Sequence, residues 1–456
     1  MKHFDVIVVG SGAGMMIADA AVNSGKTVAL VEMGLLGGTC LNVGCIPSKM
    51  IIYPADLVNQ IKHAKELGIK ATIEEIDFGF IMQRTRDFVE HDRHPMEEAI
   101  TQVEGLTFYP VKGEFIGDYT MKVGNETIAG ETIFLASGAR VFIPPIKGLE
   151  TVDYLTNDNV WAMTEKPESM VIVGGGLIAV EMAHFFSSMG VDISLLSRSP
   201  RLIKEGEPEV SEILLTSMRQ RMHIQTSIEV TEVEKIGDRL RVKAKKKDGQ
   251  FKEYDVEKIF IAAGRKSNAD LLKVEKTGVD VDDRGYIVVD EFYNTSKENI
   301  IAFGDAIGRK MYRHVANKEA EIVWHTYSSG HGHPMNYDLV PYAVFSWPQI
   351  GSVGLTEAEV IKRGEEYYIG EYNFSDTAKG AAMMEEDGYV KVLLRKEDFK
   401  ILGAHIIGPF APILVQEVIN VMNAGDGTVH PLAEALHIHP ALPEVVHRAF
   451  HKLREP

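Results

Sequence analysis

The sequence predicts an α/β protein built from two Rossmann-like dinucleotide-binding domains and a third, C-terminal α+β domain. Two observations carry that expectation. An apolar strand runs straight into a glycine turn and a helix at FDVIVVGSGAG, and the same grammar recurs at SMVIVGGGLIAVEMAHFF. The 456 residues leave room for both units and a remainder, at roughly 100–200 residues per domain.

In the first unit, Gly10 makes the turn tight, and Gly12 lets backbone N–H groups approach a pyrophosphate that the following helix N-terminus favours. The third glycine of G-x-G-x-x-G is displaced, since Gly14 stands one place early and Met15 takes its position. A helix from Met15 to Asn23 and a strand TVALVE follow, ending at Glu32, which is placed to bond ribose hydroxyls. The second unit fits G-x-G-x-x-A with Gly174, Gly176 and Ala179, and its second strand ends near Ser197. Two such turns imply two nucleotides. Each unit has a return strand ending in small residues, TIFLASGAR with Ser137 and Gly138, and KIFIAAGRKSN with Gly264. The expected division is a discontinuous first domain over 1–147 and 268–335, a second over 148–267, and a third over 336–456 that carries no glycine-rich phosphate turn.

Hydrophobic residues at 45% and charged residues at 25% exclude disordered, collagenous and multi-span membrane chains. Acidic residues number 65 against 48 basic ones, so the mean field repels phosphate backbones, and nucleic acid is not an expected partner. The basic run Lys243 to Lys247 precedes Asp248-Gly249, a hairpin signal, and reads as a solvated strand face. No apolar stretch reaches the roughly 18 residues of a membrane helix, and Asp5 interrupts any signal peptide, so a cytoplasmic location is expected.

Only two cysteines are present, Cys40 and Cys45 in GTCLNVGCIPSK, too few for a disulfide scaffold or a thiolate metal cage. Redox chemistry, two buried free thiols or an inert bridge remain open from the spacing. In one continuous helix, residues five apart are separated by about 7.5 Å of rise, beyond the reach of a disulfide. A bridge therefore requires a distorted first turn, which Val43-Gly44 permits. No metal site is expected, and His331 and His333 in SSGHGHPMNYD read as plain loop.

Taken together, these stretches resemble the flavoprotein disulfide reductases, the family of glutathione, mycothione, trypanothione and mercuric reductases and dihydrolipoamide dehydrogenase, essentially from end to end. Residues Gly37 to Lys49 match G-G-T-C-x-N-x-G-C-x-P-[ST]-K. NIIAFGDAIG resembles the second FAD signature, with Gly304 and Asp305; RHVANKEA resembles the segment beneath the flavin, with His314 and Ala316; HIHPALPEVV resembles H-P-x-x-x-E, with His439 and Glu444. The resemblance implies FAD in the first site, flanked by Gly38 and Thr39, a nicotinamide nucleotide in the second, and a redox-active disulfide Cys40-Cys45. It further implies that Cys45 is the flavin-facing thiolate and Cys40 the thiol that exchanges with substrate. Lys49 would stand near flavin N5 with Glu181 as its ion partner. His439, oriented by Glu444, would act as acid and base from the partner subunit of a homodimer, with His437 in a hydrogen-bonding role.

Ser197 occupies the place where an NAD enzyme carries an acid, and Arg198 and Lys204 follow at the spacing of a 2′-phosphate site, so NADPH is expected over NADH. The tail FHKLREP lacks the extra cysteine pair of mercuric reductases, and Leu177 replaces the usual aromatic gate over the flavin. The expected function is NADPH-driven reduction of a low-molecular-mass disulfide. The alternatives are a dihydrolipoamide dehydrogenase and, from a different class, a slow flavin redox sensor or interaction subunit.

Overall fold

The computed structural model describes all 456 residues. Strand Lys2–Val9 is buried from Val6 onward and lies at the centre of a parallel sheet, between Val28–Val31 on one side and Glu126–Leu135 on the other. Such doubly covered strands read as continuous apolar runs. Strand Leu106–Tyr109 extends one edge, while Gly113–Gly117 and Thr120–Val123 add an antiparallel meander at the other. The late strand Ile300–Ala302 pairs in parallel with the C-terminal half of Glu126–Leu135, so a distant segment completes this first sheet.

The second unit repeats the plan with four parallel strands, in the order His223–Gln225, Asp192–Leu196, Ser169–Val173 and Lys258–Ile261. A three-stranded antiparallel ribbon, Ile228–Ile236, Arg239–Lys246 and Phe251–Val256, packs beside it. Its second turn contains Gly249 at φ +88°, as the Asp248-Gly249 signal predicts. The chain leaves and re-enters the first unit through two short antiparallel strands, Ala139–Val141 and Arg265–Ser267.

The third region is a six-stranded antiparallel sheet in the order Tyr342–Val344, Ile350–Gly354, Ile401–Ile407, Tyr389–Arg395, Tyr367–Asn373, Leu453–Arg454. Helices Ala411–Met422 and Glu444–His451 cover it with Leu414, Val418, Val445 and Ala449. Buried Lys391 of this sheet donates to Glu207 and Glu209, at the start of the second unit's helix Pro208–Arg219, and to Glu357 of its own region. No helix of the protein is long and apolar enough to cross a membrane.

Candidate active site

The two glycine turns are equivalent in detail. Gly10, at φ +102°, lies where a Cβ would come 2.2 Å from the carbonyl oxygen of Ala136, and Gly174, at φ +143°, where it would come 2.2 Å from that of Ala262. Each turn is thus pressed against the end of its own return strand, and only glycine tolerates both the approach and the backbone. The first helix starts at Gly14 rather than Met15, and a Cβ on Gly14 would meet Val8 and Ala136 at 2.9 and 3.0 Å. Gly14 therefore supplies the close helix-to-strand packing that the displaced third glycine normally provides, as fully buried Ala179 does in the second unit. Glu32 sits at the strand end, where one oxygen accepts from Ser11 N–H and Oγ and the other from Gly34 N–H, bracing the turn. Gly12 and Gly176 have room around their Cα atoms, and Gly138 and Gly264 take positive φ beyond the return strands.

The cysteine stretch is broken where Val43-Gly44 allows. Thr39 and Cys40 lie in a short helix Gly38–Asn42, and Cys45 opens a separate helix Cys45–His63. A Cβ on Gly44 would fall 2.8 Å from the Thr39 carbonyl oxygen, so the glycine lets the second helix fold back on the first. Gly38 in turn approaches the backbone of Gly12, where a Cβ would meet Cα at 2.9 Å, tying the cysteine segment to the first glycine turn. The sulfurs are unbridged and share a hydrogen bond. That bond, with Arg313 and Lys49 nearby, holds the Cys40 thiol down at about 6, against burial. Donation to Cys40 and burial push Cys45 up. In the unbridged pair the shared proton thus favours thiolate character at Cys40, the thiol that the resemblance assigns to exchange with substrate. The bond between the two sulfurs is the largest cause at both; Arg313 and Lys49 add to it at Cys40, while at Cys45 Lys49 favours a charge and buried Glu181 opposes it.

One turn into the same helix, Lys49 Nζ lies 2.9 Å from Glu181 Oε2 and 4.3 Å from the centre of the Phe345 ring. Glu181 is 3% exposed, and burial raises its pKa despite Lys49 and the Phe345 N–H that binds its other oxygen. Three elements from three regions meet here: Lys49 from the cysteine helix, Glu181 from Leu177–Ser188, and Phe345 beyond strand Tyr342–Val344. Leu177 opens the Glu181 helix and is half-buried.

The segment after strand Ile300–Ala302 closes the first site. Gly304 N–H donates to buried Glu319, and Ala316 packs against Gly304. Burial raises the Asp305 pKa, with Arg265 at 3.5 Å acting against it. His314 is exposed, stacks on Tyr312 and bonds the Pro341 carbonyl through Nε2. Ser137 Oγ is buried without a partner beside the first turn. Such a cradle fits FAD: close-approach glycines, an orphan hydroxyl and a half-buried carboxylate at Asp305. Arg313 has no counterpart in the sequence reading, although its guanidinium lies 3.5 Å from a Cβ built on Gly12 and acts on Cys40. No local pattern announces it; only adjacency to His314 places it in the region.

In the second site Ser197 is buried, and its Oγ fits beneath the Gly175 backbone, where a Cβ would come within 2.3 Å. Arg198 and Lys204 stand exposed, with only distant acidic neighbours at 3.9 and 3.8 Å. Arg201 lies between them and donates to the Lys204 carbonyl, a third cation in the loop that sequence reasoning passed over.

His439 Nδ1 pairs with Glu444 Oε1 at 3.0 Å, and that bond, with the Ala441 N–H, holds the Glu444 carboxyl below its usual range. The other face of His439 points outward, with a side chain 69% exposed beside the exposed apolar residues Leu436 and Ile438. Within one chain, the groups acting on Cys40 are Cys45, Arg313 and Lys49, and His439 is not among them. His437 turns away, toward Glu417 at 3.6 Å.

Comparison with known proteins agrees with this anatomy. Residues 4–320 match the family model described as pyridine nucleotide-disulphide oxidoreductase, and residues 340–450 match the dimerisation domain of the same family. The chain is 34% identical to mycothione reductase of Mycobacterium tuberculosis, an alignment covering 100% of both chains. It is 31% identical to dihydrolipoyl dehydrogenase of Chlamydia muridarum, over 97% of this chain and 95% of that one. Among solved structures, the HOCl-induced flavoprotein disulfide reductase RclA from Escherichia coli superposes with a TM-score of 0.86 at 25% identity, covering 98% of this chain and 99% of that one. With cradle, cysteine pair and interface sheet in place, the chain belongs to the pyridine nucleotide-disulphide oxidoreductase family, FAD-dependent enzymes that work with a pyridine nucleotide, and carries the family's dimerisation domain.

Proposed function

We propose that the protein is an NADPH-dependent reductase of a low-molecular-mass disulfide, RSSR + NADPH + H⁺ giving 2 RSH + NADP⁺. The carrying observation is the loop after Ser197: the strand ends in a buried hydroxyl with no carboxylate, and Arg198 and Lys204 offer exposed cations where a 2′-phosphate would lie. Bound FAD supplies the hydride chemistry between nicotinamide and disulfide. Gly10, Gly12, Gly14, Gly38, Asp305 and Ala316 would hold it, while Gly174, Gly176 and Ala179 would admit the nicotinamide nucleotide.

In this reading Cys40 and Cys45 cycle between disulfide and dithiol. Lys49 keeps a positive charge beside them, and Glu181 fixes its position. A thiolate at Cys40 attacks the substrate disulfide, forming a mixed disulfide and releasing one RS⁻ that needs a proton. Cys45 then displaces the second thiol and restores the bridge. His439, oriented by Glu444 through Nδ1, carries the proton at Nε2. Its outward face supports delivery across a dimer interface. Steady-state assay of the FAD-loaded enzyme against a panel of small disulfides, with NADPH and NADH in parallel, tests the proposal. A higher kcat/KM for NADPH and turnover on a free disulfide are expected. Faster reaction with NADH, together with NAD⁺-linked oxidation of dihydrolipoamide, would replace this reading with the dehydrogenase, and absence of turnover on every dithiol and disulfide would favour the sensor.

A further inference from the structure

The helix that begins with Glu444 ends in a feature that disulfide chemistry does not use. His447 and His451 are four residues apart on the helix Glu444–His451, so they project from one face. Their Nε2 atoms lie 3.0 Å apart, and both lie 3.3 Å from the carbonyl oxygen of Ala433. Three donor atoms from two elements therefore converge on one point.

We propose that His447 and His451 form a binding site for a divalent transition-metal ion, with the Ala433 carbonyl beside it. Two nitrogens bound to zinc at about 2.0–2.1 Å with tetrahedral angles lie about 3.3–3.4 Å apart. The observed pair is within a few tenths of an ångström of that separation. The ring planes cross at 66°, so the two imidazoles meet edge to face rather than stacking flat. The cations of the same helix end are held elsewhere: Arg448 pairs with Glu444 and lies over Tyr372, and Lys452 lies over the same ring. A third imidazole, His437, packs on His447 at 4.3 Å between ring centres and has Glu417 behind it. Imidazole nitrogens with one carbonyl oxygen select borderline ions such as Zn²⁺, Ni²⁺ and Cu²⁺ over Mg²⁺ and Ca²⁺. Water would fill the remaining positions.

The test uses the FAD-loaded dimer carrying Cys40→Ser and Cys45→Ser, which removes thiolates as competing ligands, after treatment with a chelator. Calorimetric titration with Zn²⁺ should find one ion per chain, and Cu²⁺ in the same protein should show coupling to two imidazole nitrogens by electron paramagnetic resonance. His451→Ala removes an exposed side chain, and circular dichroism checks that the helix survives. That variant should bind Zn²⁺ at least about tenfold more weakly, a loss of about 1.4 kcal/mol, while His331→Ala with His333→Ala leaves the affinity unchanged. Unchanged Zn²⁺ affinity in His451→Ala, no ion bound in the parent, or a loss that follows His439→Ala instead would each overturn the site.

Discussion

At Cys40 a single hydrogen bond from Cys45 does more than any other neighbour to favour the thiolate. Alkylation of the dithiol form by iodoacetamide should therefore rise with a midpoint near pH 6, because Cys40 is held at about 6. In Cys45→Ala the donor is lost, and the midpoint should climb toward about 8.5, the value of an ordinary thiol. A midpoint unmoved by that change would assign the depression to Arg313 and Lys49. The Lys49–Glu181 pair invites a second substitution. Lys49→Ala leaves a buried carboxylate whose pKa burial already raises, so Glu181 should take up a proton and the local positive charge disappears. Stopped-flow reduction of the flavin by NADPH should slow by roughly tenfold or more, an effect of about 1.4 kcal/mol on the barrier. Residues of this kind differ in how visible they are from sequence. Cys40, Cys45 and Lys49 stand within one short motif, whereas Phe345 and Arg313 reach the site only through folding, from hundreds of positions away, and no spacing announces them.

Elements inherit their geometry from a few glycines. The paired turns at Gly10 and Gly174 should separate the two nucleotides cleanly. Gly10→Ala forces a Cβ into the Ala136 carbonyl and should yield protein lacking bound FAD, visible as lost flavin absorbance. Gly174→Ala meets the Ala262 carbonyl in the same way and should retain FAD while raising the KM for NADPH. Loss of FAD in both variants would show that the second turn supports the whole fold rather than its own site. Both turns, their return strands and the break at Val43-Gly44 were legible because each is written in consecutive residues. The first helix starts one position before the Met15 that the glycine pattern predicts, since Gly14 serves helix packing and not turn geometry. The order of strands in the interface sheet was not legible at all, because alternation fixes a strand's faces and not its neighbours.

At the scale of the molecule, the placement of His439 makes a prediction about subunits. Dimers of Cys40→Ser and dimers of His439→Ala should each be nearly inactive. If the acid–base group serves the other chain, mixing the two variants through unfolding and reassembly should restore activity, because each mixed dimer has one site with both groups intact. No recovery in verified mixed dimers would place His439 with its own chain's cysteines. Lys391 holds the second unit against the interface sheet, and its side chain is 1% exposed with three carboxylates around it. Lys391→Met should cost about 3–5 kcal/mol, read from urea unfolding, because Glu207 is left buried and uncompensated.

The paired strands Ala139–Val141 and Arg265–Ser267 also bear on how such a protein can change. Val141 faces Arg265 across the ribbon, so everything between them begins and ends at adjacent points, about 5 Å apart. The second unit is therefore a cassette with both ends clipped together. Exchanging it for that of a relative requires no rerouting of the remaining chain, but it does require a match at the Lys391 latch and along the cysteine helix, where Glu181, His184, Ser188 and Arg221 meet Lys49, Asp56 and Asn59. Coenzyme choice and disulfide choice can then evolve, or be engineered, on separate pieces of one polypeptide.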